Sequence, residues 1–285
     1  MTEQTLDVVV RFHDPARIAE LDRCLFSLVM QEYAPLTVHL VCQRFGPSVL
    51  QDVQKAIAPT MSLNTGVRLA VYDYDVAEPA DARAALLNTG IAAARGRYLA
   101  FLDYDDVIHP AGYRVLIGEL AGTGHAIAFG GIASKFVACS QHASVTLHRR
   151  LQFVGDRLEH LFDDNFCPMH SFVLDRDKIA PCDLTFDERL NALEDYDLLL
   201  RICSQYRSSM RAVGRIVGDY IFKDDGSNTT PVGASATLEK LAIWKRANAV
   251  VAARKRALAV SLEVQRSMGI ASPCPGQTVS DLARR

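Results

Sequence analysis

Residues 98–110 read YLAFLDYDDVIHP, and this stretch decides the fold because it joins an apolar run to a cluster of acids. The apolar residues 98–102 predict a buried strand of a parallel sheet. Asp103, Asp105 and Asp106 follow at its carboxyl end, the edge of open α/β sheets where ligands bind. Three carboxylates there repel one another unless a positive charge lies among them. The stretch predicts a divalent cation that holds a phosphorylated substrate; the alternative is a solvated acidic turn in which Asp106 caps the next helix.

Three strand and helix pairs are predicted before this stretch. The alternation of short β-rich runs with segments of helical apolar spacing supports this reading. Four strands separated by helices within about a hundred residues indicate a doubly wound parallel sheet. The predicted strands are residues 6–11, 36–41 and 67–72, and the predicted helices are residues 16–31, 49–57 and 80–94.

The second half of the sequence is less regular. Strands are predicted at residues 126–129, 134–139 and 211–222, with an apolar stretch at 166–174 and a helix that begins near Glu194. One long helix is predicted from residue 238 to about residue 268, followed by a frayed tail from residue 271. Lys and Arg outnumber acids in this helix, which favours packing on the domain, contact with an anionic membrane surface or binding of a partner subunit. Packing is the expectation adopted here.

The composition is that of an ordinary globular protein. The 285 residues are 49% hydrophobic and 22% charged, and the formal net charge of -2 gives no reason to expect nucleic acid as a partner. The first residues do not resemble a signal peptide, and no apolar run is long enough to cross a membrane. The seven cysteines form no CxxC pair, so a zinc site is not expected. Their odd number and scattered positions favour a reducing, cytoplasmic location.

Four segments carry a resemblance to a known family. They are the opening strand and loop at 8–14, the Asn-x-Gly and Gly-x-Tyr motifs at 85–91 and 95–98, the DxD motif at 103–106 with Pro110, and the ED motif at 194–197 with Arg201. In this order they resemble the inverting GT-A glycosyltransferases of family 2. The resemblance implies an α/β GT-A fold, with a mostly parallel central sheet flanked by helices and a C-terminal helical tail. It divides the chain into a glycosyltransferase domain at residues 1–230 and a helical extension at residues 231–285.

The resemblance also implies roles for the acids. Asp105, with Asp103, is implied to hold Mn²⁺ or Mg²⁺ against the diphosphate of a nucleotide sugar, with a UDP-sugar as the expected donor. Asp103 is also implied to contact the ribose or a metal-bound water. Asp195 is implied to be the general base for an acceptor hydroxyl, and Glu194 to orient the base or the acceptor. Taken alone, these two acids are equally typical of the first turn of a helix.

Further donor contacts are implied around these acids. The residues themselves leave alternatives open, because Arg83 is also an ordinary exposed arginine, Asn88 is suited to fixing a loop near the donor, and His170 is also typical of a buried histidine. Arg201 is expected to form a salt bridge with an acid of its own helix. The implied donor contacts are Phe12, His13, Asp14, Arg83, Asn88 and His170.

Three departures from the family pattern limit what is implied. The second strand ends in VCQRF at residues 41–45, where the family has an acidic turn that helps to bind the nucleoside, and Asp73 or Asp75 is the suggested substitute. Residues 222–228 stand where many relatives have a histidine that binds the metal or the diphosphate, and in this stretch Asp224 or Asp225 is suggested to serve a metal and Lys223 a phosphate. No processive signature follows the ED motif, so transfer of a single sugar is expected, to a glycan or lipid-linked acceptor.

Two other functions fit parts of the sequence. Asp103 and Asp105 also fit the DxDxV nucleophile motif of haloacid-dehalogenase-like phosphatases, with Gly218 and Asp219 in the distal acidic motif. The three strand and helix units before Asp103 argue against that family, whose nucleophile strand normally opens the domain. A catalytically silent GT-A-like binding module is the second alternative, favoured by the altered nucleoside turn.

Overall fold

The computed structural model describes residues 4–140, 144–228 and 236–283, and a mixed β-sheet flanked by helices forms its centre. The strands are β1 (Leu6–Phe12), β2 (Leu36–Gln43), β3 (Val67–Tyr74), β4 (Tyr98–Asp103), β5 (Val107–Ile108), β6 (Ile127–Cys139), β7 (Ser144–Arg150), β8 (Phe172–Asp175) and β9 (Ser208–Lys223). The helices are α1 (Ile18–Val29), α2 (Gly46–Met61), α3 (Arg83–Ala93), α4 (Gly112–Leu120), α5 (Leu158–Asp163), α6 (Glu194–Gln205), α7 (Leu238–Ala257), α8 (Leu262–Ser267) and α9 (Val279–Leu282).

The strand order is β3-β2-β1-β4-β8-β6-β9-β5, with β7 paired to β6. The first four strands in this order are parallel, and β8 runs antiparallel between β4 and β6. The predicted parallel arrangement of the first half is therefore confirmed. In the register of β1 and β4, Arg11 lies opposite Asp103, which brings a cation beside the first acid of the cluster.

Successive residues of the central strands face opposite sides of the sheet, as the pleat requires. In β1, Val9 packs in the cluster that includes α3 and α6, whereas Val8 and Val10 pack in the cluster that includes α1 and α4. Gly90 of α3 lies against Val9, and a Cβ at this position would stand 2.3 Å from Val9 Cγ1. The glycine of the Asn-x-Gly motif therefore permits the close contact of α3 with β1.

The predicted second half needs three corrections. The two strands predicted at 126–129 and 134–139 are one continuous strand, β6. The helix predicted from 238 to 268 is wrong, because α7 ends at Ala257 and a separate short helix, α8, follows with Ser261 as its N-cap. The chain breaks between them to pair with the tail, where Val260 N donates to Gln277 O.

The tail from residue 271 is not frayed, and that prediction was also wrong. A capping box at Thr278 and Asp281 starts α9, and Val279 and Leu282 are fully buried in the same core cluster as β1 and β4. These two buried side chains, together with backbone hydrogen bonds such as Val279 N to Leu258 O, tie the tail to the domain. Neither a composition rich in Pro nor the position near the terminus revealed them.

Packing of α7 on the domain, the expected reading, is confirmed because Ala247 and Val251 are buried. The predicted domain boundary between residues 230 and 231 lies outside the described residues. In the described part of the chain, every helix is too short or too polar to cross a bilayer.

Candidate active site

The DxD motif lies at the carboxyl end of β4, as predicted, and each of its three carboxylates is balanced in a different way. Asp103 pairs with Arg11 through two hydrogen bonds, from Nε to Oδ1 at 2.6 Å and from Nη2 to Oδ2 at 3.2 Å. The third nitrogen of the same guanidinium, Nη1, donates to Glu194 Oε1 at 2.7 Å. One arginine of β1 thus joins the DxD motif to the first residue of α6.

Asp105 is balanced by Lys223, the last residue of β9. Lys223 Nζ donates to Asp105 Oδ2 at 2.7 Å and to Glu20 Oε2 at 2.8 Å. The lysine side chain is only 3% exposed, whereas that of Asp105 is 25% exposed. Burial lowers the pKa of Lys223, but the charges of its two carboxylate partners outweigh burial, and the net pKa is raised. Lys223 is therefore charged at neutral pH.

Asp106 does not cap a helix, and that interpretation was wrong. Its carboxylate is buried and accepts a hydrogen bond from Ile221 N at 2.7 Å, and α4 begins six residues later with Ala111 as its N-cap. Burial, together with the charges of Asp105 and Asp103, raises the pKa of Asp106 well above its usual range. The raised pKa favours the protonated form of Asp106, which weakens the repulsion predicted among the three carboxylates.

The ED motif opens α6, and a residue with positive φ sets its direction. Leu193 has φ 59° as the N-cap of α6, a left-handed conformation that costs about 1–3 kcal/mol for a residue other than glycine. Glu194 is buried against Arg11. Burial and the charge of Glu194 raise the pKa of Asp195 to about 7, while the Tyr196 backbone N–H and Arg11 oppose the rise. Asp195 therefore has the protonation behaviour of a general base near neutral pH.

Two adjoining cavities meet at these groups. The first, of about 710 Å³, is bounded by the DxD motif, by the loop after β1 and by the first two turns of α7. The second, of about 420 Å³, contains Glu194 and Asp195 in its wall. The residues that line both cavities are Arg11, Arg83, Asp103, Tyr220 and Trp244.

Three of the implied donor contacts line the first cavity, namely His13, Asp14 and Arg83. Arg83 Nε lies 3.0 Å from both carboxylate oxygens of Asp81. Burial and the charges of Arg11 and Arg83 lower the pKa of His13, so its imidazole is neutral at pH 7. These residues are therefore in place for the predicted donor site.

The other three implied donor contacts have structural partners beneath or beside the cavity. The Phe12 ring is fully buried against the rings of Phe45 and Tyr104. Asn88 holds the loop before α6, because its amide accepts from Phe186 N at 2.8 Å and donates to Phe186 O at 3.0 Å. This geometry confirms the loop-fixing interpretation of Asn88.

His170 is 1% exposed, with Nδ1 3.4 Å from Asp106 Oδ2, and burial lowers its pKa to about 4. The expected salt bridge of Arg201 is confirmed, since Arg201 Nε donates to Asp197 Oδ2 at 2.9 Å. Asp73, suggested as a nucleoside contact, accepts hydrogen bonds from Phe45 N and Gly46 N at the start of α2.

Sequence reasoning missed the contribution of α7 to the site, and for the donor site it named Lys223 of β9 but not Tyr220. Trp244 and Lys240 of α7 line the first cavity although they come from the predicted C-terminal extension. Tyr220 of β9 lies between the two cavities. The single Trp of the chain was a usable signal, because a lone large aromatic residue on an otherwise charged helix marks its contact face.

The side chains around the DxD motif determine whether the site can hold a divalent ion. In the described part of the chain, no three His, Cys, Asp or Glu side chains are arranged to hold a metal. Asp105 lines the first cavity. Of its two carboxylate oxygens, Oδ2 accepts a hydrogen bond from Lys223, and no side chain of the described residues donates to Oδ1. Mg²⁺ and similar ions commonly use one or two carboxylates together with substrate phosphates. Asp105 fits an ion that arrives with a diphosphate, rather than a site formed by the protein alone.

Comparison with known proteins agrees with this architecture. Residues 77–179 match the family model of glycosyl transferase family 2. No curated protein sequence matches the chain. The matched segment contains the DxD motif, whereas Arg11, the ED motif and Lys223 lie outside it.

Many solved structures are similar in fold, and two of them show the extent of the overlap with this chain. S. aureus TarS 1-349 in complex with UDP-GlcNAc has a TM-score of 0.58 and 15% identity, over 92% of this chain and 73% of that chain. The mannosyltransferase PcManGT from Pyrobaculum calidifontis, in complex with GDP-Man and Mn²⁺, has a TM-score of 0.56 and 13% identity, over 94% of this chain and 76% of that chain. The fold is therefore the GT-A fold, as predicted, and the family match supports glycosyl transfer. The matched family is a glycosyltransferase family, which argues against the phosphatase alternative, and Asp219 of the distal motif in that alternative pairs with Arg149 and His109.

Proposed function

We propose, from a segment that matches glycosyl transferase family 2 on a GT-A fold, that this protein is an inverting glycosyltransferase. The donor nucleotide sugar, with a UDP-sugar as first candidate, binds in the first cavity, and the acceptor binds in the second. The observation that carries the proposal is the position of Asp195. It lies in the wall of the second cavity, next to Glu194, which Arg11 ties to Asp103 of the first cavity.

Inversion follows from the roles of the two cavities. Asp195 accepts the proton of the acceptor hydroxyl while that oxygen forms a bond to the anomeric carbon. The bond from this carbon to the diphosphate breaks, and the electron pair leaves with the nucleoside diphosphate. Because attack comes from the side of the second cavity and departure occurs toward the first, the configuration at the anomeric carbon inverts.

The departing diphosphate needs a positive partner. We place Mn²⁺ or Mg²⁺ at Asp105, where a bound ion supplies Lewis-acid stabilisation of the diphosphate charge. Lys223, which donates to Asp105 Oδ2, balances this carboxylate until an ion arrives with the diphosphate. Both carboxylate oxygens of Asp103 accept hydrogen bonds from Arg11, so Asp103 orients this arginine beside the sugar-transfer site.

The lining of the second cavity supports a saccharide as the acceptor. Its walls combine five aromatic side chains with charged and amide groups and few aliphatic ones, which suits the apolar faces and hydroxyl edges of sugar rings. A lipid-linked glycan fits the same site through its sugar end, and contact of residues 238–268 with a membrane then belongs to the proposal. All seven cysteines are free thiols, which supports a reducing, cytoplasmic compartment.

The test begins with donor binding. A thermal-shift screen with UDP-, GDP-, dTDP- and CMP-sugars, with and without Mn²⁺, identifies the donor because a bound ligand raises the melting temperature. Asp105→Ala is expected to lose the Mn²⁺-dependent part of that shift. Asp195→Asn is expected to keep the shift and to lose at least 100-fold of the transfer rate, measured as release of nucleoside diphosphate.

The matched control is Asp52→Asn, an exposed position of α2 with a side chain 73% exposed, which is expected to leave binding and transfer unchanged. The anomeric configuration of the released or transferred sugar, followed by proton NMR, reports inversion directly. Full transfer by Asp195→Asn contradicts the base assignment. Binding of nucleotide sugars without turnover by the native protein favours the silent binding module.

A further inference from the structure

Arg11 occupies a unique place among the charged groups of the described chain, because its guanidinium joins both motifs. Asp103, at the end of β4, takes two of its hydrogen bonds, and Glu194, at the start of α6, takes the third. The arginine side chain is 13% exposed and that of Glu194 is 5% exposed, so solvent screens the contact only weakly. The two acids are 91 positions apart in sequence and meet on one cation.

The charges around this guanidinium do not cancel. One positive charge faces Asp103 and Glu194, and the ionised form of Asp195 adds a third negative charge beside them. Without Arg11 these three carboxylates would share a largely buried corner in which no other side chain of the described residues forms an ion pair with them. Like charges in that setting disfavour ionisation, and the last carboxylate to ionise is the one most affected.

We infer that Arg11 is a positioning residue, which holds the donor-side and acceptor-side carboxylates on one guanidinium and thereby allows Asp195 to ionise as the base. The inference rests on the proposed function for the role of Asp195 as base, but the geometry and the titration that it predicts do not depend on turnover. Arg11 also fixes the first turn of α6 relative to β4, so the base keeps its distance from the donor cavity.

Other groups around Asp195 act in fixed directions. On its own helix, Glu194 raises the pKa of Asp195 and the Tyr196 backbone N–H lowers it, and from β4 Asp103 raises it. Cys167 and Tyr196 also face it, and burial holds the pKa of both side chains well above neutral pH, so they add no charge. The remaining charged groups that line the same cavity are Arg83, Arg150 and Asp164.

The experiment compares the native protein with Arg11→Met and Arg11→Lys. Titration of Asp195 is followed by carboxyl ¹³C NMR on protein labelled at aspartate, and its signal is assigned by its loss in Asp195→Asn. In Arg11→Met the midpoint is expected to move up from the native value of about 7 by about one pH unit, which lowers the ionised fraction at pH 7 about fivefold. Arg11→Lys keeps the charge, so its Asp195 midpoint is expected to lie close to that of the native protein.

Arg83→Met is the matched control, because this arginine lines both cavities but pairs with Asp81. It is expected to leave the Asp195 midpoint in place whatever it does to donor binding. Thermal melts of all variants report folding. An unchanged midpoint in folded Arg11→Met overturns the inference. A shifted midpoint in a protein that never turns over a nucleotide sugar keeps the role of Arg11 and overturns the proposed function instead.

Discussion

Replacement of Lys223 by Met tests how the DxD motif is balanced. The change keeps most of the length and apolar area of the side chain and removes its charge. Lys223 Nζ then no longer contacts Asp105 and Glu20, which it meets at 2.7 and 2.8 Å, and it no longer lies 5.9 Å from the ring centre of Tyr104. Two carboxylates are left facing each other across an apolar side chain.

The expected loss of stability follows from the burial of the three partners. Breaking a fully buried ion pair costs about 3–5 kcal/mol, and breaking an exposed pair costs about 0–1 kcal/mol. The lysine side chain is 3% exposed but its partners are 19% and 25% exposed. We therefore expect a loss of about 2–3 kcal/mol, which for a chain of this size lowers the melting temperature by roughly 4–12 °C.

The same variant is expected to bind Mn²⁺ more tightly in the presence of the nucleotide. Two unit charges 4 Å apart repel by about 1 kcal/mol even in bulk water, so a divalent ion near the ammonium is opposed by about 2 kcal/mol. Removal of the ammonium should therefore lower the Mn²⁺ concentration at half-maximal thermal stabilisation about tenfold or more. The measurement is a Mn²⁺ titration of the melting temperature at fixed UDP.

The control is Lys55→Met, an exposed lysine of α2 that lies 3.8 Å from Asp52 and is 66% exposed. It is expected to change stability by less than about 0.5 kcal/mol and to leave the Mn²⁺ titration unchanged. Two results refute the reasoning. One is a Lys223→Met variant as stable as the native protein in urea unfolding at constant m-value. The other is a Mn²⁺ response identical to that of the native protein.

Three further predictions concern the base, the tail and the close contact of α3. Because the pKa of Asp195 is raised to about 7, its ionised fraction and the transfer rate are expected to fall about fivefold from pH 7 to pH 6, and a flat profile from pH 5 to 8 would contradict this. Leu282→Ala should cost about 2–5 kcal/mol in urea unfolding, against less than about 0.5 kcal/mol for Leu238→Ala at a side chain 87% exposed; equal costs would show that the tail does not stabilise the core. Gly90→Ala should cost about 1–3 kcal/mol because its methyl group meets Val9, and a variant more stable than the native protein would exclude this packing.

The sequence was sufficient to predict the elements of the site where the local apolar pattern and the geometry of the sheet edge indicate the same structure. The apolar run before Asp103 predicted β4, and the carboxyl end of a parallel strand predicted that the acids would face a cavity. The same reasoning placed the helix that begins at Glu194. These predictions hold because a buried strand and an amphipathic helix are each encoded within one window of the sequence.

The tail and the break after Ala257 depended instead on pairing between distant residues. Apolar and helix-forming residues continue through 258–268, so the local pattern predicted one helix. The structure breaks it where Ala259 bridges Thr278 and where Ser261 N donates to Ser204 O. Neither partner is visible within a window of helical length, and tertiary contacts outweighed propensity there.

The electrostatics of the site show why the ion-pair partners of the acids were harder to predict than the positions of the acids in the fold. The argument that three clustered acids require positive charge was sound, but the sequence did not show which basic side chains the fold would place beside them. Strand register places Arg11 beside Asp103, the end of β9 places Lys223 beside Asp105, and burial raises the pKa of Asp106. The protein's own cations thus balance the acids when no substrate is bound, and under the proposed function a divalent ion would be needed only for the charge that the diphosphate adds. Metal dependence should therefore appear in nucleotide binding and not in the stability of the free protein, so a Mn²⁺-dependent rise in the melting temperature without nucleotide would contradict this account.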